Sequence, residues 1–156
     1  MDHQDHMQSA LDEATLAAAA GEVPIGAVLV AGGTVLARAH NRREGWQDPT
    51  AHAELIAIRA TAARLGTWRL EGSTLFVTME PCAMCIGAAI LARVERVVFG
   101  VRDPKGGACG SVLNIPEAQG LNHRIDVTGG VLEQESRELL QEFFKGLREN
   151  TREVGG

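Results

Sequence analysis

Tyrosine is absent from this 156-residue chain, and the other aromatics amount to four Phe and two Trp. An aromatic-rich core is excluded, so the 45% hydrophobic fraction predicts packing built mainly from Ala, Val, Leu and Ile. Cysteine is almost as scarce: of three, Cys82 and Cys85 form a C-x-x-C pair and Cys109 stands alone. That count excludes a disulfide framework and points to a reducing, cytoplasmic setting. No apolar run approaches the roughly 18 residues that would raise the question of a membrane span. The polar start, Asp2 to Gln8, is unlike a signal peptide. Basic excess is also missing. The formal net charge of −5 argues against broad non-specific binding to nucleic acid, which needs Lys and Arg to neutralise phosphates. It leaves room for a local patch, with Arg38, Arg42 and Arg43 on one segment, Arg102 and Lys105 on another, and Arg124 on a third. The length suits one domain, residues 1–156, with a core of its own.

What is present reads as alternating helices and strands. Met7, Ala10, Leu11, Ala14, Ala17 and Ala18 recur at helical spacing, predicting an amphipathic helix that ends at Gly21. Ile25 to Ala31 and Thr34 to Asn41 read as strands joined by the two-residue turn Gly32-Gly33. After a loop from Arg43 to Pro49, with Thr50 as N-cap, a buried helix is expected over Ala51–Leu65. Leu75–Thr78 then reads as a strand, Pro81–Ala92 as a helix and Arg96–Gly100 as a strand, a unit that implies a parallel crossover. The Gly-rich segment Asp103 to Ser111 reads as an ordered loop. Ile125–Thr128 is a last short strand, and Leu132 to about Glu149 a final amphipathic helix. That order of elements is a three-layer α/β domain.

The chemistry concentrates in two short segments. In Pro81-Cys82-Ala83-Met84-Cys85 the sulfurs lie three residues apart, on one side of the first turn of a helix. The positive end of that helix favours the thiolate, the form a metal needs. Alone, the pair also fits a redox couple or two buried cysteines. Thr50-Ala51-His52-Ala53-Glu54 weighs against both. Residues two apart diverge in mid-helix, so His52 and Glu54 converge only at a helix entrance, where Pro49-Thr50 puts them. His52, Cys82 and Cys85 are three ligands, one fewer than a closed structural zinc site, which leaves a position for water. Zinc lowers the pKa of that water to about 7. Glu54, not a ligand, is placed to take its proton and later deliver it to a departing amine.

His52-Ala53-Glu54 with Pro81-Cys82-Ala83-Met84-Cys85 resembles the cytidine and deoxycytidylate deaminase superfamily, whose zinc members carry this signature. Within it the wider likeness is to the bacterial tRNA-specific adenosine deaminases. It runs through Val23–Val30, Asp48–Glu54, Thr78–Cys82, Arg96–Gly100, Arg102–Ser111 and Asn122–Arg124. The resemblance implies an α/β/α domain with a five-stranded mixed sheet, a homodimer, one zinc per subunit, and conversion of the wobble adenosine of a tRNA anticodon to inosine. It also implies that Asn41 hydrogen-bonds the target base, that Asp103 contacts the neighbouring nucleotide, and that Asn122 and His123 line the same groove. His40, on the opposite face of the strand from Asn41, is not counted as a ligand. Cys109 reads as a spare small residue. Three alternatives remain open from sequence: a deaminase of a free base or nucleoside of guanine or cytosine type, a C-x-x-C thiol-disulfide oxidoreductase, and a non-catalytic zinc-stabilised RNA-binding module.

Overall fold

Side chains along β1 (Gly26–Ala31) alternate between two cores: Ala27 and Leu29 enter one cluster, Val28 and Val30 the other. β3 (Ser73–Met79) and β4 (Arg96–Val101) repeat the pattern, with Leu75, Val77, Val97 and Phe99 on the first face and Phe76 and Val98 on the second. A sheet apolar on both faces needs cover on both. α1 (His3–Ala19) and α5 (Glu133–Gly155) lie against one side, α3 (Ala53–Leu65) and α4 (Ala83–Leu91) against the other. The computed structural model describes residues 2–155, with side chains for 2–151.

β2 (Thr34–His40) and β5 (Asp126–Thr128) complete a five-stranded mixed sheet in the order β2-β1-β3-β4-β5. β1 is antiparallel to both β2 and β3, whereas β3, β4 and β5 are mutually parallel. β2 and β3 therefore run the same way, and their last residues, His40 and Met79, emerge at one edge together with Val101 of β4. The crossover expected from Leu75 to Gly100 is the parallel β3–α4–β4 unit. The Gly32-Gly33 turn has φ of +58° and +76°, the mirror-image conformation that two-residue hairpins require. Aliphatics dominate the interior as composition predicts, yet each cluster has a phenylalanine, Phe99 and Phe76. Each such burial is worth about 1.5–3 kcal/mol.

α1 docks so closely on β1 that Gly26 has no room for a side chain. A Cβ there would sit 2.5 Å from the Ala14 amide nitrogen and 2.9 Å from the Glu13 Cβ.

Two local expectations are corrected. The stretch Arg43–Pro49 is not all loop, because α2 (Arg43–Trp46) occupies its start. Glu22 accepts the Glu44 and Gly45 N–H groups there, at 2.9 and 2.7 Å, a contact no local pattern encodes. The next helix starts at Ala53, and its N-cap is His52, not Thr50. The Asp48 carboxylate accepts the Thr50 N–H and hydroxyl at 2.8 and 2.7 Å. This Asx turn diverts Thr50 from capping.

Candidate metal centre and base cavity

The late start of α3 gives His52 its place. At the N-cap its backbone is extended (φ −81°, ψ 149°), and its side chain makes no capping hydrogen bond. Cys82 holds the same position on α4, also extended (φ −77°, ψ 175°) and also without a side-chain cap. Two helix entrances meet, and both N-cap side chains are free for other work. Cys85, three residues on, lies on the same side of the first turn of α4. His52 Nδ1 is 3.7 Å from Cys82 Sγ and 3.5 Å from Cys85 Sγ, and the three donor atoms lie within 4.8 Å of one another. In a tetrahedral zinc site the N···S edge is about 3.6 Å. The donor set therefore fits that ion in type, number and spacing.

The electrostatics point the same way. The thiol of Cys85 donates to Cys82 and, with His52, pulls the Cys82 pKa down to about 4. Cys85 is pushed up because it serves as donor to Cys82 and is buried. The Cys82 contact raises the pKa of His52, and burial raises that of Glu54. Glu54, second residue of α3 and only 4% exposed, adds a carboxyl beside the sulfurs. Without a cation, crowding holds Cys85 and Glu54 toward their neutral forms; a divalent ion on the sulfurs would offset that penalty.

These groups close one end of a cavity of about 100 Å³, small enough to take one heterocyclic ring and too small for a drug-sized ligand. Asn41 and Arg43 form one wall, Asp103 the opposite rim, and Val23, Ile25 and Met79 the apolar sides. Asn41 is buried. Its Oδ1 accepts the Arg43 N–H at 3.2 Å, while its Nδ2 reaches the Val23 carbonyl only at 3.4 Å. Asp103 Oδ1 accepts the Lys105 N–H at 3.0 Å. The structure thus brings Asn41, His52, Glu54, Cys82 and Asp103 to one cavity, with Cys85 beneath it.

Asn122 and His123 are elsewhere. His123 Nε2 bonds the Val94 carbonyl at 2.7 Å, just before β4 and so at the opposite edge of the sheet, and neither residue lines the cavity of its own chain. His40 turns away from the cavity as strand alternation predicts, and its Nδ1 meets Glu13 Oε2 of α1 at 3.1 Å. Cys109 is buried, and burial raises its pKa to about 12, so it is an inert thiol. Glu80 lies in the Thr78–Cys82 segment of the resemblance but is given no role there. It lies behind the rim, 3% exposed, and accepts backbone N–H groups from Asp103, Cys109 and Ser111. Its membership in that segment and the glycine pair Gly106-Gly107 in the facing loop are the sequence signals, and Gly107 leaves the space Glu80 occupies.

A deaminase is the class this fold and donor set define, and the MafB19-like deaminase family model matches residues 1–148. A solved structure from work on A-to-I editing by tRNA:A34 deaminases at the wobble position of transfer RNA superposes with a TM-score of 0.84. It is 46% identical and covers 87% of this chain and 99% of its own. A guanine deaminase from Nitrosomonas europaea superposes with a TM-score of 0.76 at 27% identity, covering 90% of this chain and 83% of its own. The tRNA-specific adenosine deaminase of Bacillus subtilis is 53% identical over 143 residues, 92% of this chain and 89% of that protein. This chain belongs to the family of tRNA-specific adenosine deaminases.

Proposed function

We propose that the chain hydrolyses adenosine to inosine at the wobble position of a tRNA anticodon. In this reading residues 1–156 form one deaminase domain, and His52 Nδ1 with the sulfurs of Cys82 and Cys85 hold one zinc ion. The observation that carries the reading is the meeting of those three donors and the buried Glu54 at the end of a base-sized cavity. Zinc, when bound, would supply the Lewis acidity that makes water acidic near pH 7. Water adds at C6 of the purine and the exocyclic nitrogen leaves as ammonia. Glu54 takes the proton from water and passes it to that nitrogen, and burial, by raising its pKa, suits it to both transfers. Asn41 orients the base: its Nδ2, held at only 3.4 Å by Val23, turns to the ring at little cost. Val23, Ile25 and Met79 keep bulk water out. Asp103 meets the neighbouring nucleotide. Bases of an anticodon loop are already partly unstacked, which lowers the cost of flipping one into the cavity.

The assembly in this reading is a homodimer. Leu91, Trp68 and Leu65 are 72%, 56% and 48% exposed around the carboxyl ends of α3 and α4, and a second copy would cover them. Asn122 and His123 do not line the cavity of their own chain, and in this homodimer they would meet the RNA from the second copy. Among the described residues no helix is long and apolar enough to cross a membrane. Free Cys82, Cys85 and Cys109 suit the cytoplasm, where tRNA resides.

The test is mass spectrometry of total tRNA and of a synthetic anticodon stem-loop after treatment with zinc-loaded protein. Inosine at the wobble position is expected, and none with Glu54→Ala. Deamination of free guanine or cytosine with untouched tRNA would transfer the function to the small-substrate class, which the guanine deaminase fold also serves.

A further inference from the structure

Both rims of the cavity are fastened from behind by a buried carboxylate that has no ion-pair partner among the described residues. On one side Glu80, 3% exposed, accepts N–H groups from Asp103 at 3.1 Å, Cys109 at 3.0 Å and Ser111 at 3.1 Å, and the Ser111 hydroxyl as well. These four donors span the loop 103–111. On the other side Glu22, also 3% exposed, accepts N–H groups from Glu44 at 2.9 Å and Gly45 at 2.7 Å. Two glycines make room for this. A Cβ on Gly107 would lie 2.5–2.6 Å from the oxygens of Glu80, and one on Gly45 3.1 Å from Glu22 Oε2. Charged hydrogen bonds are short and directional, and a buried charge is tolerated only where its acceptor positions are filled. In the loop 103–111 Ala108 and Cys109 are anchored in the core, and Glu80 adds charged hydrogen bonds that tie Asp103 and Ser111 to that anchor. Glu22 holds Glu44 and Gly45 by bonds of the same kind.

Asp103 lies on the segment Glu80 holds, and Arg43 directly precedes the two residues Glu22 holds. Both face the cavity. We infer that Glu80 and Glu22 are positioning residues for substrate selection. They act through Asp103 and Arg43, which flank the base cavity and meet the nucleotides on either side of the target. Neither carboxylate touches the reacting atoms. The inference rests on the RNA reading of the cavity for its substrate and on geometry alone for its mechanism. Loss of a charged hydrogen bond to a flanking nucleotide costs about 10- to 100-fold in binding.

The experiment uses zinc-loaded full-length protein carrying Glu80→Gln or Glu22→Gln. Glutamine keeps the shape but turns an NH₂ toward N–H donors. With the anticodon stem-loop, KM should rise about 10- to 100-fold, while kcat stays within about threefold and zinc within error of one per chain. Amide hydrogen exchange should quicken in peptides covering 103–111 for Glu80→Gln only, and in those covering 43–46 for Glu22→Gln only. Glu80→Gln made on an Asp103→Ala background should add less than about twofold to KM. Unchanged exchange in the addressed rim overturns the inference. So does a loss of kcat and zinc in step with KM, which marks a merely structural role, or a full Glu80→Gln effect in the absence of Asp103. If the unmutated protein forms no inosine in any RNA, the functional reading fails. The exchange pattern still decides whether the carboxylates hold the rims.

Discussion

Glu54→Gln should lower activity and raise stability at once. Glu54 is almost wholly buried, and that burial raises its pKa. A carboxyl whose pKa is raised by folding costs stability once ionised. The cost is absent below the unfolded value near 4.5, grows as pH rises above it, and levels off once pH passes the folded value. Replacing the charge with a neutral amide of the same shape removes that cost, worth about 1–3 kcal/mol at pH 7 in metal-free protein. For a chain of this size that corresponds to a Tm about 3–10 °C higher. Loss of the proton carrier should slow turnover about 10²–10⁴-fold. The assay compares melting of chelator-treated wild type and variant by calorimetry, with zinc content and inosine formation measured on loaded protein. The stability gain should shrink when zinc is present, because the cation offsets the buried charge. Loss of zinc from the variant would make Glu54 a ligand and overturn the assigned roles. A metal-free variant that melts at or below the wild-type temperature would refute the buried-charge argument.

Four other substitutions separate the parts of the molecule. His52→Ala and Cys82→Ala should each leave less than one zinc per chain by elemental analysis. They should also forfeit the stabilisation that bound metal adds, about 4 kcal/mol when free zinc exceeds its dissociation constant a thousandfold. Gly26→Ala places a Cβ 2.5 Å from the Ala14 nitrogen, and α1 has to move off β1. Urea titration should show a loss of about 2–4 kcal/mol, whereas an unchanged midpoint would mean the helix yields freely. Asn41→Ala should retain zinc and raise KM about tenfold, by losing one base contact and its hold on the Arg43 N–H. An effect confined to kcat would remove Asn41 from base binding.

Local order was enough to single out His52, Cys82 and Cys85 as a cluster, which the structure brings within 4.8 Å, and to set the succession of helices and strands, while the five-stranded mixed sheet came from the resemblance. His-x-Glu and Pro-Cys-x-x-Cys are fixed-offset patterns, and a helix entrance sets where their side chains point. The alternation in Ala27-Val28-Leu29-Val30 dictates two covered faces whatever the helices are. Tertiary structure decided the rest. Which residue caps α3 depended on Asp48 claiming Thr50 first, a competition between two turns that propensity scores almost equally. Glu22 and Glu80 look like surface acids in the sequence. They are buried because backbone donors from segments more than 20 residues away close on them. Asn122 and His123, adjacent to the cavity by resemblance, lie at the far edge of their own chain because β5 is parallel to β4 and the segment before it returns to Val94. Local patterns fix what a residue can do through its own backbone. What it meets across the fold is set by packing of distant segments, and no spacing rule encodes that.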